Sequence, residues 1–252
     1  MARLDQRDAR NAAGPWFVDT RCIDCGTCRE LVPTLFGAVG DQSVVTAQPE
    51  GPGAERAAWL AAEACPTSSI GRTPRTARPP GLYPLHVDGG VHDLGHTSED
   101  SFGATSYLVV RTAGNLMVDS PRFTRSLTAA LDEVGGLAHV LLTHRDDVAD
   151  AGRWADRYGA RVWIHEADLR AAPFATDVLR GEETTVVAPG VVALPVPGTP
   201  AGRSCSRSTT RGSSPATRWP GATIAGTSSP SAARAGTRGR RRPGPSPGWR
   251  PR

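Results

Sequence analysis

Cys22-Ile23-Asp24-Cys25-Gly26-Thr27-Cys28, residues 22–28, sets the reading of the first third of this chain. Three cysteines recur at intervals of three, and a fourth, Cys65, stands much later in Glu63-Ala64-Cys65-Pro66. A fifth, Cys205, lies in a stretch of different character and is read as an accident of composition. The chain has no apolar run near the roughly 18 residues that a membrane span needs. Its start, MARLDQRDARNAAG, is polar and lacks the apolar centre of a signal peptide. A cytoplasmic, reducing location is therefore expected, with no membrane attachment. In that setting clustered cysteines bind metal more often than they form disulfides.

Three thiolates this closely spaced can wrap one corner of a cubane cluster, and soft thiolates suit iron–sulfur centres. A structural zinc site and unligated cysteines are the alternatives. Zinc sites usually use two separated Cys-x-x-Cys pairs, unlike one run with a distant Cys-Pro. Arg29-Glu30-Leu31-Val32-Pro33 follows Cys28, so no cysteine stands four residues on, and the Cys-Pro comes at Cys65-Pro66. The pattern resembles the single-cluster bacterial ferredoxins over about residues 14–72. The resemblance implies a [4Fe–4S] cluster held by Cys22, Cys25, Cys28 and Cys65, with electron transfer to a redox partner protein. Cys25 stands where three-iron relatives often have Asp, which favours four irons. Trp16, Val18, Val44 and Val45 read as short flanking strands and Ala54–Ala64 as a helix.

A Pro- and Arg-rich stretch, Gly71–Pro84, reads as a linker, with residues 73–84 as its centre. Beyond it the pattern becomes mixed α/β. Ser106–Val110 and Asn115–Asp119 read as a hairpin. Arg122–Val134 and Val148–Tyr158 read as amphipathic helices, the second ending at Gly159. His139–Thr143, Arg161–His165, Thr184–Ala188 and Val191–Pro195 read as strands, and Glu166–Ala172 as a short helix. This order resembles the first half of the metallo-β-lactamase fold over residues 85–197. The resemblance implies metal binding in the loop after a buried strand, at Thr143-His144-Arg145-Asp146-Asp147-Val148-Ala149-Asp150. His144 matches the first ligand. Asp146 stands in place of a histidine, and Asp150 is followed by Ala151 where the family has His. What the resemblance implies here is a second metal, zinc or iron, resting on His144, Asp146 and Asp150. The three aspartates here also suit a helix start, where the helix dipole favours negative charge. His165 reads as structural, and His86, His92 and His96 show no ligand spacing.

Residues 198–252 contain 11 Arg and no Asp, Glu or Lys. The remainder holds 18 basic against 25 acidic residues, a net charge of −7. The tail thus reads as a basic, disordered arm, and its charge raises nucleic-acid binding as one possibility. The genetic code offers a reading that sets nucleic acid aside. Every residue of the tail except Ile224 has G or C as its second codon base. Real proteins need A there for Asp, Glu and His, and U for Val, Leu and Phe. Shifted by one base, Gly198–Ser204 allows Gly-His-Thr-x-Gly-Ser-Val, and Ser214–Gly221 allows Phe-Thr-Gly-Asp-Ser-Leu-Ala-Trp. Both resemble later metal motifs of the same hydrolase family, with the third histidine now Thr199 and the bridging aspartate now Thr217. A frameshift near residue 198 is expected, leaving the strands at 184–195 without their sheet partners.

The sequence as a whole predicts an α+β chain: a ferredoxin-type domain at 1–72, a linker at 73–84, a partial metallo-β-lactamase-like domain at 85–197, and a tail. The expected function is cluster binding and electron transfer beside an inactive hydrolase-like domain. A metal-dependent hydrolase of a small acyl or thioester substrate is the alternative, so whether the chain is an enzyme stays open.

Overall fold

The computed structural model describes residues 2–195 and 222–224. In the first region β1 (Trp16–Val18) pairs antiparallel with β4 (Ile70–Arg72), and β2 (Phe36–Val39) forms a hairpin with β3 (Gln42–Val45). A short α1 (Thr27–Leu31) and a longer α2 (Gly51–Ala64) pack beside them. Trp16 and Trp59 meet edge-to-face at 4.9 Å in the core between strand and helix. The Trp16 indole N–H donates to Glu55 at 3.0 Å, so the buried ring leaves no orphan donor. Asn11 joins the two small sheets. Its side-chain oxygen accepts from the N–H groups of Val18 (3.0 Å) and Val45 (2.9 Å), and its amide donates to the Asp8 and Val18 carbonyls. Two-stranded pairings of three and four residues are too short to stand alone, and this amide supplies the missing cross-links.

The second region is built on one seven-stranded sheet. It contains β5 (Leu85–Asp88), β6 (Val91–Asp93), β7 (Tyr107–Val109), β8 (Leu116–Val118), β9 (His139–Leu141), β10 (Arg161–His165) and β11 (Asp177–Leu179), in the spatial order 11-10-9-8-7-6-5. Strands β5 to β8 run antiparallel; β8 to β11 are parallel. Parallel neighbours need crossovers, which α3 (Arg125–Glu133) and α4 (Ala151–Tyr158) provide. Because β-strand side chains alternate, Met117, Val140, Val162 and Ile164 face the helices, against Leu127, Leu131 and Trp154. Leu116, Val118, Leu141 and Trp163 face the other way, against Val187, Val191 and Ala193. Those last residues belong to β12 (Thr185–Ala188) and β13 (Val191–Pro195), which form a second sheet with β14 (Ala222–Ile224). The second region is therefore layered helices, sheet, sheet.

Several boundaries differ from the sequence reading. Helix α3 begins at 125 rather than 122, because Thr124 is its N-cap and accepts from Leu127 N–H at 3.3 Å. Gly71 and Arg72 belong to β4 rather than to a linker, and Leu82 and Tyr83 are buried against the first core. The segment after Arg72 is thus docked, with the Tyr83 hydroxyl donating to the Leu60 carbonyl at 3.3 Å. Strand β13 does have a partner, since Ala193–Pro195 pairs with Ala222–Ile224. The expectation that the strands at 184–195 lack partners is wrong for β13. The rest of 198–252, including the expected disorder, Thr199, Cys205 and Thr217, lies outside the described residues.

Candidate metal centre

The cysteine loop leaves β1 at Asp19, which is fully buried and accepts from Arg3 N–H (2.8 Å) and the Arg21 guanidinium (2.7 Å). The backbone then takes the left-handed region at Asp24 (φ 57°) and Gly26 (φ 85°). Asp and Gly tolerate that region best. The two reversals wind the chain into α1 so that Cys22, Cys25 and Cys28 share one cavity. Cys65 enters it from the C-terminal end of α2, followed by Pro66, which cannot continue the helix. Val18 and Ile70, from β1 and β4, supply apolar wall.

All four cysteines are free thiols. Polar hydrogens approach each one. Ser43 N–H donates to the Cys22 sulfur at 3.4 Å and Ser69 N–H to the Cys65 sulfur at 3.3 Å. Thr27 N–H bonds to the Cys25 sulfur, with the Thr27 hydroxyl oxygen 3.3 Å from it, and the Ser43 hydroxyl bonds to Cys28. Burial pushes the Cys28 thiol up to about 12 and raises Cys25, in each case opposed by these hydrogen bonds. Among the described residues no three His, Cys, Asp or Glu side chains converge on the position of a single ion. The four sulfurs stand around a shared space instead. Four soft donors, each with a hydrogen-bond donor nearby and no carboxylate or imidazole in the lining, fit a four-thiolate iron–sulfur cluster.

The second region covers this loop, which the sequence reading missed. Thr27 donates its hydroxyl to the Gly103 carbonyl at 3.1 Å. Gly103, at φ 81°, lies so close that a Cβ there would stand 2.8 Å from Cys25 Cβ and 2.9 Å from its sulfur. Thr97 donates its N–H and hydroxyl to the Ala64 carbonyl, and Arg122 donates to the Cys65 carbonyl at 3.0 Å. The only advance signal was a dense run of Gly, Ser and Thr at 95–106.

The second candidate set is arranged differently. His144 follows β9, and its Nδ1 accepts from Asp146 N–H at 3.3 Å, also lying 3.3 Å from an Asp146 carboxylate oxygen. Asp150 points elsewhere: one oxygen accepts from Phe123 N–H at 2.6 Å and the other lies 3.5 Å from Arg153. The structure thus brings His144 and Asp146 together and leaves Asp150 apart. His165 caps a short 3₁₀ turn (Glu166–Ala171), accepting from Ala167 N–H at 3.2 Å. Two further acids are perturbed: Asp119, read only as a strand end, and Asp147, read as a helix-start carboxylate. Asp119, at φ 55°, accepts from the Thr143 N–H and hydroxyl, and burial followed by Asp147 pushes it up to about 8. Asp147 is raised to about 6, chiefly by burial.

A cavity lined by four cysteines, the last in Cys-Pro, has the donor chemistry that suits an iron–sulfur cluster. In agreement, residues 18–72 match the family of the 4Fe-4S single cluster domain of ferredoxin I and form a 4Fe-4S ferredoxin-type domain. No curated protein matches the chain. Among solved structures, the native FEZ-1 metallo-β-lactamase from Legionella gormanii is 16% identical, over 48% of this chain and 54% of that one, with a TM-score of 0.34. BJP-1, a subclass B3 metallo-β-lactamase of Bradyrhizobium japonicum, is 11% identical over 44% and 50%, at 0.36. The class B3 di-zinc metallo-β-lactamase LRA-12, from an Alaskan soil metagenome, is 14% identical over 44% and 50%, at 0.35. The chain spans about half the length of these structures, and at such scores the likeness carries no argument about activity. No helix among the described residues is long and apolar enough to cross a membrane.

Proposed function

We propose that the chain holds one [4Fe–4S] cluster through Cys22, Cys25, Cys28 and Cys65 and exchanges single electrons with a redox partner protein in the cytoplasm. The observation that carries this reading is the convergence of four free thiols, from two distant segments, on one cavity. A bound cluster supplies one-electron chemistry. The protein's own groups do the rest. Buried thiols with raised pKa values keep their protons until metal displaces them, so loading is linked to proton release. The donors from Ser43, Ser69 and Thr27 then meet sulfur that has become negative. Val18 and Ile70 limit water at the site. Anaerobic purification should give a brown protein with about four iron and four sulfide per chain. A colourless protein with one zinc would overturn the reading.

The same proposal holds that the second domain, read as metallo-β-lactamase-like, is inactive as a hydrolase in this chain. Its support is that His144 and Asp150 use their polar atoms on backbone N–H groups rather than on a common point. A metal-activated hydroxide needs about three protein ligands and an open position. The observation on the side of the hydrolase alternative is that the partly buried Asp119 and Asp147 are both raised, Asp119 in part by Asp147, with Asp147 in the field of His144. Zinc-dependent thioester or lactam turnover, abolished by His144→Ala, would establish that alternative instead.

A further inference from the structure

Where the end of α2 meets the start of α3, the two regions enclose a cleft of about 560 Å³. Three guanidiniums, Arg78, Arg122 and Arg125, line it with a single carboxylate, Glu63. Glu63 is already engaged: it forms an ion pair with Arg78 and lies 3.5 Å from His96 Nδ1. Arg122 is fixed in place by carbonyls, donating to Thr97 at 2.8 Å and Cys65 at 3.0 Å. Carbonyls are neutral, so this holds the guanidinium without cancelling its charge. Arg125 makes no ion pair or hydrogen bond among the described residues and is exposed to the cleft. Arg122 feels Glu63 and Asp150, but neither it nor Arg125 forms an ion pair among the described residues, so two cations in one concavity stand without a direct partner. Guanidinium charge in the cleft also reaches His96, whose pKa falls to about 4 through burial first and then through Arg122 and Arg78. Hydroxyls of Ser68, Thr124 and Ser126 add neutral donors, and Ala62 and Ala129 add apolar wall.

Two guanidiniums without an ion-pair partner match a group of nearly two negative charges. A phosphate ester carries about −1.5 to −2 and three acceptor oxygens, and the planar guanidinium fork is suited to bind it. A carboxylate offers one charge and two oxygens. The volume falls within the range of small-molecule sites, about 300–1,000 Å³, so the cleft has room for more than a lone inorganic ion. We propose that this cleft is a binding site for a metabolite-sized phosphate ester, held by Arg122 and Arg125 at the seam between the ferredoxin-type domain and the second domain. The proposal does not depend on the cluster being present.

The test is calorimetric titration of the full chain with glycerol 3-phosphate, inorganic phosphate and glycerol at constant ionic strength. Iron is counted on the same sample, so failure of this site and failure of the cluster assignment are read separately. The ester should bind saturably at one site, more tightly than inorganic phosphate, and glycerol should not bind. Arg125→Ala removes an exposed, unpaired side chain at a helix start, where Ala is well tolerated. It should weaken the ester about tenfold, the order expected for one charge-assisted contact. No saturation by about 10 mM ester, or affinity unchanged by Arg125→Ala, overturns the site. Inorganic phosphate binding as tightly as the ester overturns the metabolite-sized occupant.

Discussion

The two regions of this molecule hold comparable sets of ligand-type side chains and arrange them in opposite ways. Cys22 and Cys65 are far apart in sequence, yet a strand pair, two left-handed residues and the end of a helix bring them to one cavity. His144, Asp146 and Asp150 lie within seven residues, yet they do not meet at one point. In the first region sulfur atoms accept from backbone and hydroxyl groups that belong to the site wall. In the second, the His144 imidazole accepts from an N–H of its own loop and the Asp150 carboxylate from Phe123 N–H in another segment, so the two face different ways. Closeness in sequence therefore says little about convergence. What separates a site from a helix start is where the lone pairs point.

The strongest way to break the comparison is at Cys65. Cys65→Ala should abolish the cluster, with iron per chain falling to near zero and the brown colour lost, because three thiolates leave one corner of a four-iron cluster without its protein ligand. Iron retained at the wild-type level would show that the four sulfurs do not act together. His144→Ala should leave iron content unchanged, the contrast between the regions in its simplest form.

Next in size is a pH effect at the seam. His96 is 4% exposed, and its pKa is lowered to about 4 from 6.5 by burial first, then by Arg122 and Arg78. The folded state therefore binds fewer protons at this residue than the unfolded chain between those values. Its contribution to stability is full above pH 6.5 and is lost as pH falls through that window, up to about 3 kcal/mol as an upper bound. Glu63, at 3.5 Å, does not reverse the sign, since Arg78 already neutralises it. His96→Gln should flatten the difference in denaturation midpoint between pH 7 and pH 4.5. An unchanged acid slope would mean that His96 gains its proton without cost to the fold.

Gly103→Ala acts on the same seam more weakly. A left-handed φ costs a non-glycine residue roughly 1–2 kcal/mol, and the new methyl would press on Cys25. We expect a comparable loss of stability and a shifted midpoint potential, since packing and hydrogen bonding around the sulfurs help to set it. A wild-type melting curve with an unchanged potential would show that the second domain does not constrain the cluster loop.

How much of this was readable beforehand differs between the regions for a physical reason. Cysteine spacing is explicit in sequence, and the residues it singled out line one cavity. The long periodic elements were also legible: Arg161–His165 and Val191–Pro195 are strands with the expected bounds. Elements defined by pairing rather than by pattern were not. Leu85–Asp88 and Val91–Asp93 are exposed or half-buried, so no apolar alternation marks them, and they exist because β7 offers an edge. Asp119 was read only as a strand end. Its burial and its bonds to Thr143 arise from the parallel pairing of β8 with β9, a contact between segments well separated in the chain. Arg122 was assigned to a helix it precedes, and its contact with Cys65 crosses between the regions.

The smallest expected effect sharpens the comparison most, because it asks what Asp150 is for. One carboxylate oxygen accepts from Phe123 N–H at 2.6 Å, tying the start of α4 to the segment before α3. The carboxylate is about a third exposed, so water can replace part of the bond after Asp150→Ala, and the net loss should be about 1 kcal/mol. For a chain of this size that is a fall in melting temperature of roughly 2–4 °C. A structural tie and a metal ligand then give different signatures. If Asp150 is only a tie, added zinc leaves the melting temperature of both proteins where it was. If Asp150 binds metal with His144 and Asp146, zinc stabilises the wild type by mass action and the variant much less. A zinc-dependent rise confined to the wild type would place a working metal site in the second domain. The contrast between a convergent and a divergent region would then have to be abandoned.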